Sequence, residues 1–523
     1  MMASMGGRLL VVGWDGADWQ IVDDLISRAL LPNVAQMVRS GAAARLTSTV
    51  PTHSWAAWPT FLTGMSPGGH AVFDFMERHA TKRGKRSPIF STAIRAETFL
   101  ERLSRHGVEV RAGNIPVTFP PVPVNGRVIA GGGIPPGASF VHPPEWAPEL
   151  ERMAPFPTNG LEWTHYRRRP ASLVEEARSL VERRNESFLA LLEGNWRVAV
   201  CVFVAPDRLQ HPFGNYLIPS HPEHAGLADT NLADSIRSVY AALDRSLGRL
   251  REAAGEHATT VLMSDHGFDP VIRASSVNAI LVRQGFAAPN VAASAARPVY
   301  RSAIWHGIRT TRLGSLIRRV VRTPSALNWA NTFAYGSVTG GGVSINLEGR
   351  EPEGIVKKKD FERVREEVRQ ALLEFEDAEH GRPIAIVHRS EEIFSGPFAN
   401  LAPDLMAMPN PLWVLDHTDA AATRVTWPTG DHGPSGILVA EGGGVVPGSL
   451  GTRDLADVAP TALAFCDVPF ARLDGRSIRE IAGKDPVEDE AVRASVEQRR
   501  PGELTDEEEE SVAQHLRSLG YVD

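Results

Sequence analysis

Three short apolar runs, each closed by an aspartate, limit this chain more than any other feature. Arg8–Gly13 (RLLVVG) leads into Trp14-Asp15-Gly16, Arg197–Val204 (RVAVCVFV) into Ala205-Pro206-Asp207, and Thr259–Met263 into Ser264-Asp265-His266-Gly267. Such runs, rich in β-branched residues and without polar alternation, read as strands buried on both faces, as in a parallel sheet. Asp229–Ala254 lies between the second run and the third. Its Leu232, Ile236, Val239, Leu243, Leu247 and Leu250 recur at steps of three and four, which makes an amphipathic helix. Strand, helix, strand is a right-handed βαβ unit that brings Asp207 and Asp265 to one edge of the sheet. Open α/β sheets place ligand sites just past strand ends, where Asp15 also falls, although an aspartate beside glycine is by itself an ordinary turn residue.

The stretch Val50–Gly64 (VPTHSWAAWPTFLTG) adds a nucleophile candidate. Trp55, Trp58, Phe61 and Leu62 are spaced as on a helix and Gly64 stops it, so Ser54 stands at or near the helix N-terminus. That end offers N–H groups and positive potential, which suit a phosphate. Taken alone, Ser54 is more simply read as a plain helix cap.

The remaining elements read as follows. Ile21–Ser40, Ala171–Leu192 and Asp360–Phe375 are helices, Gly436–Ala440 is a fourth apolar run, and Asp454–Phe465 is a packing helix. Pro116–Pro170 is rich in Pro and Gly and reads as an excursion without regular elements, where substrate-selecting loops lie. Lys82–Arg86 (KRGKR) is a solvated loop or a phosphate-binding lid, and His70 is a loop or core histidine. The stretch from Asp269 to Thr332 is irregular, with a basic run at Arg309–Arg322. The division expected is a discontinuous α/β core, 8–268 with 425–485, an insertion or cap at 269–424 that partly rejoins the core, and a helical tail at 486–523 with a Thr505/Glu508 capping box.

With a net charge of -7, no global basic field favours a polymeric nucleic acid. The two cysteines, Cys201 and Cys466, lie in apolar runs and read as buried free thiols. The start of the chain lacks a signal-peptide pattern and no run reaches membrane-spanning length, so the expected location is cytoplasmic. Oligomeric state stays open.

Asp15, Asp207 and Asp265 are joined by three histidines, His211, His266 and His432, the last in Thr429-Gly430-Asp431-His432-Gly433. Mixed carboxylate and imidazole ligands suit zinc or manganese and argue against a thiolate structural site. Asp207 and His211 are four apart and meet one ion if that loop turns helically.

The ordered blocks VVGWDG, VPTHSWAAWPTFLTGMSPGGHAVFDF, FVAPDRLQH, LMSDHGF, INLEGREPEG, GDHGPSGILVAEG and DLADVAPTAL with LDGRSI resemble the alkaline phosphatase superfamily, most closely its type I phosphodiesterase/nucleotide pyrophosphatase branch, over about residues 8 to 480. The resemblance implies an alkaline phosphatase-like α/β fold: a mostly parallel central sheet with helices on both faces and inserted cap or loop regions. It implies two divalent ions, zinc or else manganese. Asp15, Ser54, Asp265 and His266 would hold one, and Asp207, His211 and His432 the other. Ser54 takes the position of the family's nucleophile. Two departures accompany it: Ala56 stands where many bacterial relatives have Pro, and no equivalent is placed for the Asn that helps hold a phosphate oxygen in eukaryotic nucleotide pyrophosphatases. A sulfatase is disfavoured, because Ser54-Trp55-Ala56-Ala57-Trp58 lacks the Pro and Arg of that branch.

The activity implied is metal-dependent hydrolysis of a small-molecule phosphate ester, with diesters favoured and a phosphoseryl intermediate on Ser54. A phosphomonoesterase, or a phosphotransferase or mutase of the same superfamily, is the alternative. A silent phosphate-ligand-binding protein is the reading from another class.

Overall fold

The computed structural model describes residues 7–487 apart from 78–87, 159, 228–229, 291–326, 338–340, 416–419, 472 and 485–486. The basic stretches Lys82–Arg86 and Arg309–Arg322 and the helical tail expected after residue 487 lie outside the described residues.

The strands are β1 (Leu9–Trp14), β2 (Ala42–Thr47), β3 (Val110–Gly113), β4 (Gly126–Ile129), β5 (Val141–His142), β6 (Val198–Phe203), β7 (Thr259–Met263), β8 (Gly267–Ser275), β9 (Ala334–Gly336), β10 (Gly342–Ile345), β11 (Ile384–Arg389), β12 (Leu405–Pro409), β13 (Leu412–Leu415), β14 (Thr423–Arg424), β15 (Gly430–Gly433), β16 (Ser435–Glu441) and β17 (Gly448–Asp454). Nine of them make the central sheet, in the order β17-β2-β16-β7-β1-β6-β3-β4-β5. The block from β7 to β4 is parallel, and β16 is antiparallel to both its neighbours.

The three aspartate-ended runs are therefore neighbours in the sheet. β1 lies between β6 and β7, with Val12 beside Cys201 and Leu262. The helix Asn231–Ala254 carries the chain across β1, and this places Asp15 between Asp207 and Asp265 at one sheet end.

Alternate residues of each central strand face opposite sides of the sheet. Leu10, Val12, Ala199, Cys201, Phe203 and Leu262 join the core beneath the helices Trp19–Ser27, Pro170–Leu191 and Asn231–Ala254. Leu9, Val11, Val198, Val200, Val202, Val261 and Met263 join the core beneath Ser54–Thr63, Phe99–Arg105 and Val458–Phe465. The sheet is thus covered by helices on both faces. A third apolar cluster, with Val343, Val368, Leu372 and Leu405, belongs to the separate sheet β11-β12-β10-β9.

Several expectations need correction. The single helix over Ile21–Ser40 is two, Trp19–Ser27 and Pro32–Ser40. Ala29 at φ 58° and Pro32 at the new helix start break the run between them. Pro116–Pro170 is not devoid of regular structure, because β4 and β5 extend the central sheet and Ala147–Met153 is a helix. Their brevity hid them among the Pro and Gly. The irregular stretch after Asp269 contains most of β8 and the helix Val277–Arg283. Cys201 is buried, whereas Cys466 is only partly so.

β8 and β15 complete the frame around the site. They pair antiparallel, with His432 opposite Phe268 and Gly433 opposite Gly267. This sets His432, 169 positions downstream of Met263, beside the end of β7.

Candidate active site

Ser54 is the first residue of its helix, and it is not the cap. His53 is extended at the cap position and its Nδ1 accepts the backbone N–H of Ala56 at 3.2 Å. Ser54 is thereby relieved of capping. Its Oγ donates to Asp15 Oδ1 at 3.1 Å and lies 3.2 Å from His266 Nε2. One turn on, Trp58 Nε1–H donates to the other Asp15 oxygen at 3.0 Å. Gly13 makes room for this: a Cβ there would meet the Trp58 ring at 2.7 Å. Gly16, at φ +73°, turns the chain so that its N–H donates to Asp265 Oδ1 at 3.1 Å.

All seven expected site residues converge, and all are buried or nearly so. Their ligand-type atoms fall into two groups. Asp207, His211 and His432 form one, and Asp15, Asp207 and His266 the other, with the atoms of each group within 4.8 Å of one another. Asp207 therefore stands in both groups. Asp265 adjoins the second, its Oδ2 3.4 Å from His266 Nε2. His70, in contrast, is a core histidine: its Nε2 is 2.9 Å from Thr60 Oγ1 and its Nδ1 accepts from the Val72 N–H.

The imidazoles share one arrangement. Nδ1 of His266 is 3.0 Å from the Gly267 carbonyl and Nδ1 of His211 is 3.2 Å from the Gly430 carbonyl. A carbonyl only accepts, so each Nδ1 carries a proton. Nδ1 of His432 faces the Asp431 carboxylate at 3.2 Å. In each ring Nε2 is then the atom turned to the carboxylates, 3.4 Å from Asp207 Oδ1 for both His211 and His432. Outer partners that fix the tautomer in this way are typical of metal-ligating histidines.

The electrostatics agree. Burial, with Asp265 and Asp207 nearby, pushes the Asp15 carboxyl well above the ordinary range. Burial and Asp207 push Asp265 up to about 8. Burial also opposes ionisation of Asp207, but His211 and Arg208 hold it well below the ordinary range. Burial brings His432 down to about 4, so its imidazole is neutral at pH 7. Three carboxyls crowded into one small volume, Asp265 with a buried Oδ2 that accepts no hydrogen bond, resist ionising together. The donor set fits hard or borderline divalent cations, which would relieve that repulsion.

Three contributors were not anticipated from the sequence: Asp431, Trp58 and Arg208, whose Nη1 lies 3.2 Å from Asp207 Oδ2. Asp431 and Arg208 sit next to expected ligands in the chain, and Trp58 lies one helical turn after Ser54. Adjacency was the only signal available.

The family model for Type I phosphodiesterase / nucleotide pyrophosphatase matches residues 9–435. No curated protein matches the chain significantly. Among solved structures, human ectonucleotide pyrophosphatase/phosphodiesterase 5 is similar at 13% identity, with 91% of this chain and 99% of that chain covered and a TM-score of 0.54. Phosphonoacetate hydrolase from Sinorhizobium meliloti 1021, in complex with phosphonoacetate, is similar at 14% identity, with 83% and 89% covered and a TM-score of 0.51. At such identities these likenesses speak for the fold alone, that of alkaline phosphatase-like α/β proteins. The family match spans most of the chain, and the chain belongs to the type I phosphodiesterase / nucleotide pyrophosphatase family of phosphoric ester hydrolases.

Proposed function

We propose that the protein is a metal-dependent phosphodiesterase of small-molecule phosphate esters that uses Ser54 as its nucleophile. The observation that carries this reading is the position of Ser54 Oγ, within 3.2 Å of both Asp15 Oδ1 and His266 Nε2 at a helix start. Asp15, Asp265 and His266, with Ser54, would hold one divalent cation, and Asp207, His211 and His432 the other. Zinc or manganese suits the set, and Asp207 stands where both could feel its charge. When bound, the cations supply positive charge that lowers the pKa of the serine hydroxyl and offsets the negative charge that grows on the phosphoryl oxygens.

The chain's own residues do the rest. The helix start directs positive potential at the incoming phosphate. Ser54 Oγ attacks phosphorus once its proton has passed to solvent, because Asp15 Oδ1 and His266 Nε2, which orient the hydroxyl, would be holding the cation. The bond from phosphorus to the departing oxygen breaks, and that oxygen leaves with a proton. Water then attacks the phosphoseryl group, Ser54 Oγ departs, and a proton returns to it. Trp58 and the backbone N–H of Gly16 keep Asp15 and Asp265 aimed throughout.

The intermediate is testable. Acid-quenching the metal-loaded enzyme during turnover of bis(4-nitrophenyl) phosphate, followed by peptide mass spectrometry, is expected to find the phosphoryl adduct on the peptide containing Ser54. Steady turnover without an adduct on that peptide, under conditions where its formation outpaces its loss, would contradict the covalent route.

A further inference from the structure

Beside the Ser54 cluster lies a cavity lined by Asp15, Trp55, Asn114, Gly133, Arg184 and Arg208, among others. Arg184, on the helix Pro170–Leu191, is the unusual member. It is only 4% exposed, and neither its Nε nor its Nη1 has a hydrogen-bond partner. Among the described residues no carboxylate forms an ion pair with it. The charges that act on it, Arg208 and Arg183, are both positive, and burial together with Arg208 pushes its guanidinium down to about 9. Its guanidinium lies over the face of Phe156, 5.5 Å from the ring centroid. Arginine is rarely buried without a partner, because desolvating a charge costs stability that only an opposite charge returns. Arg208 is different, since it is paired with Asp207.

A guanidinium held dry at the wall of a cavity, with Nε and Nη1 uncommitted among the described residues, has donors left for an oxyanion. The same cavity is also lined by Asp15, where the proposed phosphoryl site begins. We infer that this cavity is a second anion subsite, and that the group esterified to the substrate's phosphoryl carries its own carboxylate or phosphoryl group, which docks on Arg184. This rests on the phosphodiester reading above and narrows it from phosphate diesters in general to doubly anionic ones. The fold supplies half of an ion pair and the substrate the other half. Such a site rejects diesters whose second group is uncharged, because they leave the buried cation unmatched.

The test uses three matched diesters of 4-nitrophenyl phosphate, whose second ester is phenyl, 4-carboxyphenyl or 4-phosphonophenyl. Their affinities are measured by calorimetric titration on metal-loaded Ser54→Ala protein, which binds without turning over, with and without Arg184→Met or Arg184→Lys. At least one charged diester is expected to bind about tenfold or more tightly than the phenyl diester. The carboxylate and phosphonate arms tell which oxyanion is preferred. Arg184→Met brings the ratio to about one, and Arg184→Lys retains part of it. Because the methionine removes an unmatched buried charge, Arg184→Met also melts at or above the temperature of its parent. A charged-to-neutral ratio of about one before substitution, a ratio that survives Arg184→Met, or a marked fall in melting temperature each overturns the subsite. Turnover of the phenyl diester by the enzyme with Ser54 intact keeps the two claims apart. Turnover without charge preference removes only the subsite, whereas no turnover and no binding of any diester removes the phosphodiester reading and the subsite together.

Discussion

Ser54 Oγ donates to Asp15 Oδ1 across 39 positions of sequence, over a 3.1 Å hydrogen bond buried between a helix start and a strand end. The contact joins the two halves of the proposed chemistry, a hydroxyl to be activated and a carboxylate that gathers charge. The same carboxylate is held from its other side by Trp58.

Asp207 is the residue on which both ligand groups converge. Asp207→Ala is expected to lower metal content from two equivalents to less than one, read by elemental mass spectrometry. Turnover falls more than roughly 100-fold, beyond the effect of losing an outer partner. His211→Ala, confined to one group, is expected to retain about one equivalent, in line with the loss of a single ligand set.

Trp58→Phe keeps an aromatic ring in the core and removes only the N–H donated to Asp15. Folding is expected to survive, while kcat or metal affinity drops by about 10- to 100-fold. Unchanged kinetics would mean that Asp15 is positioned without it.

His53 caps the helix that starts at Ser54. His53→Ala is expected to cost about 1 kcal/mol or more in unfolding free energy through the lost cap. His53→Asn, whose side-chain oxygen accepts the same N–H, recovers part of that. Chemical denaturation of the three proteins measures both.

The pH dependence of stability has a defined sign. Asp265 is raised to about 8 and Asp15 well above its ordinary value, so both lose a favourable neutral form as pH rises towards and through their folded pKa values. His211 is raised as well and acts in the same direction above the ordinary histidine range. His53 and His70, lowered to about 3, and His432, lowered to about 4, oppose the trend only below about 6.5, where unfolded histidines take up protons. Chelator-treated protein is therefore expected to lose melting temperature steadily from pH 6.5 to 8. Added zinc or manganese is expected to flatten or reverse that slope, because the ionised ligands then face a cation. A chelated protein whose melting temperature rises over this interval would contradict the assignment.

How much of this was legible beforehand depends on whether a residue's role is local. The strands ending at Asp15, Asp207 and Asp265 were readable, because buried runs and strand-end aspartates are local patterns. Their order was not, because β1 enters the sheet between β6 and β7 and only packing decides that. The two-residue strand β5 and the break at Ala29 were missed because neither leaves a periodic trace. The seven site residues came from motif order. Trp58, Asp431 and Arg208 escaped because their function is to hold other side chains, and nothing in residue type announces that. Arg184 sits in the middle of a helix that the sequence shows only as a helix, and its burial with no paired carboxylate among the described residues exists only in three dimensions.

The central claim is that Ser54, supported by divalent metal, cleaves phosphate diesters. The most direct measurement is hydrolysis of bis(4-nitrophenyl) phosphate beside 4-nitrophenyl phosphate, with zinc or manganese, with chelator, and with Ser54→Ala. The account predicts faster cleavage of the diester, abolished by chelator and reduced to background by the substitution, while Ser54→Ala still binds metal. Diester cleavage that persists in Ser54→Ala or in chelator, or a clear preference for the monoester, would contradict it.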